Sequence, residues 1–274
     1  MKKGWKRFWV FCGVTAAVGC VCAVTGKAMG ATGVLVDNYM PQFFWKSGST
    51  SVDSDQVELF SNVKNLKVDT EGLFVNIVPC EENNVRVETY NVNSRLKLQI
   101  KEEQGELKVE TTAEHYPWKF LNQEVAGEVT IQVPYYLEFG EADLQVGYGE
   151  LDVEEIKAKD LNLEVGAGAG NINSFTADTA EFMVGAGSLT AVGEAGKKVD
   201  IECGVGELNY TAEGTKEDFN YFIECGIGEL NLENESYSGV AVNKNIDNNA
   251  GKDMKIQCGI GSVNVSFEGA AEVR

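Results

Sequence analysis

The stretch IECGVGELNY, residues 201–210, returns almost unchanged as IECGIGELNL at 223–232 and, with wider substitution, as IQCGIGSVNV at 256–265. Upstream the same pattern is carried by LQVGYGELDV (144–153), LEVGAGAGNI (163–172) and FMVGAGSLTA (182–191). The glycine pairs are Gly147 and Gly149, Gly166 and Gly168, Gly185 and Gly187, Gly204 and Gly206, Gly226 and Gly228, and Gly259 and Gly261. Their first members are spaced by 19, 19, 19, 22 and 33 residues. Self-similarity at a period of this length is the signature of a repeat architecture.

Within each copy apolar residues alternate on both sides of the glycine pair, but the parity changes across it. Ile201, Cys203 and Val205 are odd-numbered, whereas Leu208 and Tyr210 are even. Side chains of a strand point to alternate faces, so one extra residue must be absorbed at the glycines if both flanking strands are to face one interior. The second glycine therefore marks a corner. Strand, corner and strand recurring every 19–22 residues describe one coil of a β-solenoid, with equivalent residues stacked roughly 4.8 Å apart. Stacked in chain order, Glu202 would lie over Glu224 and Glu207 over Glu229, beside an amide column of Asn209, Asn231 and Asn264. The 33-residue step contains YSGVAVNKNIDNNAGKD (237–253), whose Asn, Gly and Asp content predicts a protruding loop.

Outward from the repeats, which occupy 143–274, residues 61–142 carry the alternating stretches VRVETY, RLKLQI, ELKVET and EVTIQV. They read as irregular first coils or a cap of the same stack, since a solenoid must protect its open edge; a separate β-sandwich is the competing reading. Residues 31–60, with Phe43, Phe44 and Trp45, read as a membrane-proximal linker. Residues 1–30 begin with Lys2, Lys3, Lys6 and Arg7, followed by an uncharged stretch of 19 residues, 8–26. That length crosses a bilayer once, and the flanking charge puts the first residues in the cytoplasm and residues 31–274 outside. A cleaved signal near Ala28, Gly30 and Ala31, or a lipoprotein signal ending at Cys20, would export the same body.

The chain has 23 basic and 42 acidic residues and a formal charge of −19, which argues against nucleic-acid binding, because that requires a basic surface to displace counterions. Thirty glycines accompany only 4 prolines, and 43% of residues are apolar, enough for a packed core rather than a disordered chain. Of the 7 cysteines, Cys203, Cys225 and Cys258 take the repeat position held by Val146, Val165 and Val184. A small apolar residue does the same, so a buried thiol column is expected rather than disulfides, which need Cβ atoms about 3.8 Å apart. The single histidine, His115, sits in His-Tyr-Pro-Trp without a nucleophile signature and reads as a packing residue. Gly166 to Gly170 lacks the third glycine of a dinucleotide loop, where Asn171 stands, and no helix pattern follows. No catalytic, cofactor-binding or metal-binding residues are expected, and no cofactor.

A short amino-terminal membrane segment, the Ile131-Gln132-Val133-Pro134 segment and the repeated G-x-G-x-L-x-V units resemble the bacterial adhesin-like domain family of unknown function, over roughly residues 60–268. The resemblance implies a right-handed β-solenoid displayed on the cell envelope and transfers no catalytic residues. The resulting expectation is an all-β, non-enzymatic surface scaffold or interaction module, anchored through residues 8–26. Its expected partners are an envelope polymer, a host surface or a membrane protein. The alternative is an envelope-stress regulator acting through a membrane partner.

Overall fold

A computed structural model describes residues 55–112, 127–238 and 241–269. The membrane segment 8–26, most of the linker and His115 lie outside the described residues. The chain is all-β, with strands β1 (Val57–Phe60), β2 (Asn65–Thr70), β3 (Leu73–Cys80), β4 (Val85–Tyr90), β5 (Leu98–Glu103), β6 (Glu106–Thr111), β7 (Glu128–Pro134), β8 (Phe139–Val146), β9 (Gly149–Val153) and β10 (Ile156–Val165). They continue as β11 (Ala169–Val184), β12 (Ser188–Cys203), β13 (Glu207–Glu213), β14 (Phe219–Cys225), β15 (Glu229–Leu232), β16 (Glu235–Ser238), β17 (Val242–Ile246), β18 (Lys252–Cys258) and β19 (Ser262–Glu268).

The six repeats stack in parallel, residue over residue. On one face β8 pairs β10, β10 pairs β11, and Phe182 to Val184 lie over Ile201 to Cys203 of β12. On the other face β9, the start of β11, the start of β12 and β13 form the matching ladder. Between the faces Leu163, Val165, Phe182, Ile201, Leu189 and Leu208 are buried in a continuous core. Phe175, Phe182 and Tyr210 fill its wide part, with ring centroids 5.5–5.9 Å apart. The Tyr210 hydroxyl donates to Gly193 O at 3.2 Å, which satisfies the one polar atom of that cluster.

The described residues of 61–142 continue the same ladders: β2 pairs β8 in parallel and β3 pairs β9. A further coil of β6 and β7 lies beyond β2 and β3, again in parallel. The stack then ends in antiparallel strands, β5 on β6, β4 on β7 and β1 on β4. These block further parallel addition at the open edge.

At the opposite end, stack order departs from chain order. The last coil, β18 and β19, pairs β12 and β13 on one side and β14 and β15 on the other. Glu202 and Glu224 therefore do not stack; Gln257 stands between them and its Nε2 donates to Glu224 Oε2 at 2.6 Å. Ser262 separates Glu207 from Glu229 in the same way. The amide column forms with Asn264 in the middle: its Nδ2 donates to Asn209 Oδ1 at 2.8 Å, and Asn231 Nδ2 donates to Asn264 Oδ1 at 2.9 Å. Nor do the described residues of 237–253 make a protruding loop. β16 and β17 lie antiparallel on β15 and β14 and cap this edge, and Asp247–Gly251 connects β17 back into the stack. The 22-residue step from Gly204 to Gly226 skips a level, and the 33-residue step from Gly226 to Gly259 holds the strands that turn over the end and return to fill it.

Candidate binding groove at the glycine corner

At each corner the strand stops before the first glycine and restarts at or after the second, so the G-x-G triplet itself makes the turn. Corner amides bond from coil to coil: Val205 N–H donates to Gly185 O at 2.8 Å, Ile260 N–H to Gly204 O at 2.8 Å, and Ile227 N–H to Gly259 O at 2.9 Å. The glycines thus align in two columns. One runs Gly147, Gly166, Gly185, Gly204, Gly259, Gly226, the other Gly149, Gly168, Gly187, Gly206, Gly261, Gly228.

Glycine is required here by proximity. A Cβ on Gly206 would sit 2.1 Å from Gly187 O, on Gly261 2.2 Å from Gly206 O, and on Gly228 2.3 Å from Gly261 O. In the first column the corresponding distances run from 2.5 Å at Gly166 to 2.8 Å at Gly185 and Gly204, while Gly147 meets only the Glu71 side chain, at 3.1 Å. Of the twelve, only Gly149 has a left-handed φ, +131°. It opens the first regular coil, where a Cβ would also meet Leu73 O at 2.3 Å.

The thiols stand just inside the corner. Cys203 pairs with Cys258 and Cys258 with Cys225, in the column that continues through Val184, Val165 and Val146. All three are buried and free. Each Sγ lies 3.2–3.3 Å from the carbonyl of the second glycine of its own corner. Burial pushes the Cys225 thiol up to about 11, and the hydrogen bond with Cys203, together with burial, raises Cys258, while the same hydrogen bond lowers Cys203. Cys225 and Cys258 are therefore protonated packing residues at neutral pH.

The residue between the glycines behaves differently from the alternation in the sequence. Val205, Ile260 and Ile227 share the parity of the buried residues before them, yet they point to solvent, with exposures of 36%, 43% and 70%. The chain bends at this residue, so its side chain falls on the outside of the corner. The first coil holds Tyr148 at the same place and the next two hold Ala167 and Ala186, and the change from alanine to branched aliphatic residues is the signal in the sequence that could have revealed the patch. Three adjacent aliphatic side chains form an exposed ridge.

Beside the ridge runs an open groove of about 890 Å³, floored by Gly206, Gly261 and Gly228. Its other wall is the column Ser188, Glu207, Ser262 and Glu229, closed at the end by Ser238. Asn209 Nδ2 donates to Glu207 Oε1 at 3.1 Å and Asn231 Nδ2 to Glu229 Oε1 at 3.2 Å, so the amide column holds both carboxylates in place. No lysine or arginine lines the groove among the described residues. It combines an aliphatic wall, an anionic wall and bare backbone between them. Among the described residues no three His, Cys, Asp or Glu side chains are grouped to hold a metal ion.

The family described as Toastrack DUF4097 matches residues 63–273. A candidate cell adhesion protein from Clostridium sporogenes superposes with a TM-score of 0.50 at 19% identity, over 78% of this chain and 99% of that chain. A candidate adhesin from Bacteroides fragilis gives a TM-score of 0.34 at 13% identity, over 77% of this chain and 96% of that chain. No curated protein matches the sequence.

Proposed function

The chain belongs to the Toastrack DUF4097 family, and from that premise we propose that it is a non-enzymatic interaction module of the cell surface, a right-handed solenoid anchored through residues 8–26. The observation that carries this reading is the exposed ridge of Val205, Ile260 and Ile227 facing the carboxylates of Glu207 and Glu229. A solvent-facing corner needs no branched aliphatic residues for folding, as Ala167 and Ala186 show, so their presence on adjacent coils supports a contact surface. The likeness to a solved candidate cell adhesion protein supports the same fold in such a role. The coils supply rigidity, and the corner supplies the contact.

Cells with and without the protein are to be compared for retention on immobilised envelope polymers, host glycans and membrane proteins, with protease treatment of intact cells to test display. Retention that depends on the protein and is lost on proteolysis is the expected result. Equal retention in both strains would overturn the reading, as would substrate turnover by the purified protein that one acidic-to-amide change abolishes.

A further inference from the structure

We infer that the corner groove takes an extended peptide segment of a protein partner in which aliphatic and basic side chains alternate; this rests on the binding-module reading above. The two walls differ in chemistry. Val205, Ile260 and Ile227 offer an apolar surface on one side, and Glu207 and Glu229 offer two carboxylates on the other. An extended chain sends successive side chains to opposite sides, so an alternating aliphatic and basic sequence presents one kind to each wall. The floor, made of glycine backbone, lets a second backbone lie close without displacing side chains.

The spacing agrees with this. Glu207 and Glu229 are separated by the Ser262 coil, two steps of the stack or roughly 10 Å. Side chains on one edge of an extended peptide recur about every 6.7 Å, and the long stems of lysine or arginine cover the remainder. Asn209 and Asn231 orient the carboxylates before any partner arrives, so little side-chain freedom is lost on binding.

Charge selects among occupants. A second copy of this chain would bring another strongly acidic surface against the groove and be repelled. An anionic lipid surface meets the same repulsion. A neutral glycan would leave both the aliphatic wall and the carboxylates without complementary groups, and among the described residues no aromatic ring lines the groove for a sugar to stack on. A basic, aliphatic peptide uses both walls.

The test measures fluorescence anisotropy of three labelled heptapeptides, Lys-Val, Lys-Gly and Glu-Val alternations, against the full chain. Two double variants are compared with the parent, Glu207→Gln with Glu229→Gln, and Ile227→Ser with Ile260→Ser. All four side chains are at the surface, and melting curves check folding; if a double variant melts early, single Glu229→Gln and Ile227→Ser on the outermost coil are read in the same way. The expected result is binding of the Lys-Val peptide, at least tenfold weaker in each double variant and weaker at 500 than at 50 mM salt. The Lys-Gly peptide should bind at least tenfold more weakly and the Glu-Val peptide not at all. No binding of the Lys-Val peptide, or equal binding by parent and variants, overturns this inference. If cell retention persists in that case, the surface-module reading stands without it; peptide binding without any cell retention would overturn that reading instead.

Discussion

Replacing Gly206 by alanine separates the close approach of coils from every other role of glycine. Its φ lies outside the left-handed region, so alanine meets no conformational objection there. The added Cβ would lie 2.1 Å from Gly187 O and 2.6 Å from Val184 Cγ1, whereas ordinary contacts of this kind exceed 3 Å. The carbonyl cannot swing aside freely, because it accepts the Glu207 N–H at 3.0 Å. Relief requires the coils to part by about 1 Å, at an overpacking cost of about 1–3 kcal/mol. Weakening the ladder bond adds about 1 kcal/mol. The sum, about 3 kcal/mol, corresponds to a fall in Tm of about 6–12 °C for a domain of this size. Gly196→Ala is the control: its Cβ would meet Ala177 O at 3.7 Å, an ordinary contact, and loss of unfolded-state freedom makes the change neutral or stabilising by up to about 1 kcal/mol. Thermal melts by circular dichroism compare the two. A Gly206→Ala protein melting within 1 °C of the parent, or an equal loss in Gly196→Ala, would show that coil proximity is not what selects glycine.

The Cys225 thiol predicts alkaline destabilisation: it keeps its proton to about 11 in the folded state while the unfolded chain releases it near 9.0, so its contribution is complete below pH 9 and is lost as pH rises through 11. Burial raises Tyr210 and Tyr221 in the same direction, so the urea midpoint should fall between pH 8 and pH 11, and a constant midpoint would refute it. Alkylation of Cys203, Cys225 and Cys258 should likewise occur only on unfolding, with rapid native labelling as the contrary result. Gln257→Glu would place a third carboxylate between Glu202 and Glu224 and remove a 2.6 Å hydrogen bond; we expect a loss of about 1–2 kcal/mol at pH 7 that shrinks at pH 4 or in 1 M salt, and a pH-independent loss would exclude charge as its cause. Asn264→Ala breaks both bonds of the amide column and should lower stability by about 1–2 kcal/mol, read from denaturant titration, whereas an unchanged midpoint would mean that solvent replaces them fully.

The coil, its corner and its stacking were legible because they are written in local periodicity. Ile201, Cys203, Leu208 and Tyr210 announce by parity alone that a turn lies between them and that both strands face inward, and all four are buried. Besides the capping strands within 237–253, whose Asn, Gly and Asp content reads as a loop, two features escaped. The first is coil order, because the repeats around Gly204, Gly226 and Gly259 are nearly interchangeable and nothing local says which pairs with which. The second is the outward turn of Val205, Ile227 and Ile260. Alternation assigns them to the interior, and only the bend at the corner reverses that. In both cases the missing information is tertiary, since register within a coil is a local property and register between coils is not.

The out-of-order coil is inexpensive, and it builds the groove. Regular coils meet at a sequence separation of 19, as Asn171 and Asp152 do, whereas Asn264 and Asn209 meet across 55 residues. Loop-closure entropy grows only with the logarithm of length, so the longer closure costs about 1 kcal/mol more. In chain order, Glu202 would face Glu224 and Glu207 would face Glu229, and each such like-charge contact is unfavourable by up to about 1 kcal/mol. Inserting Gln257 and Ser262 removes both contacts, so repulsion avoided offsets entropy lost. The same insertion sets Ile260 between Val205 and Ile227, making the ridge continuous, and leaves the two carboxylates two steps of the stack apart, with Ser262 between them. A stack in chain order would crowd those carboxylates on neighbouring coils and favour protonation or splay over presentation to a partner. The arrangement that relieves charge repulsion within the solenoid is thus also the one that spaces anionic groups along an apolar edge.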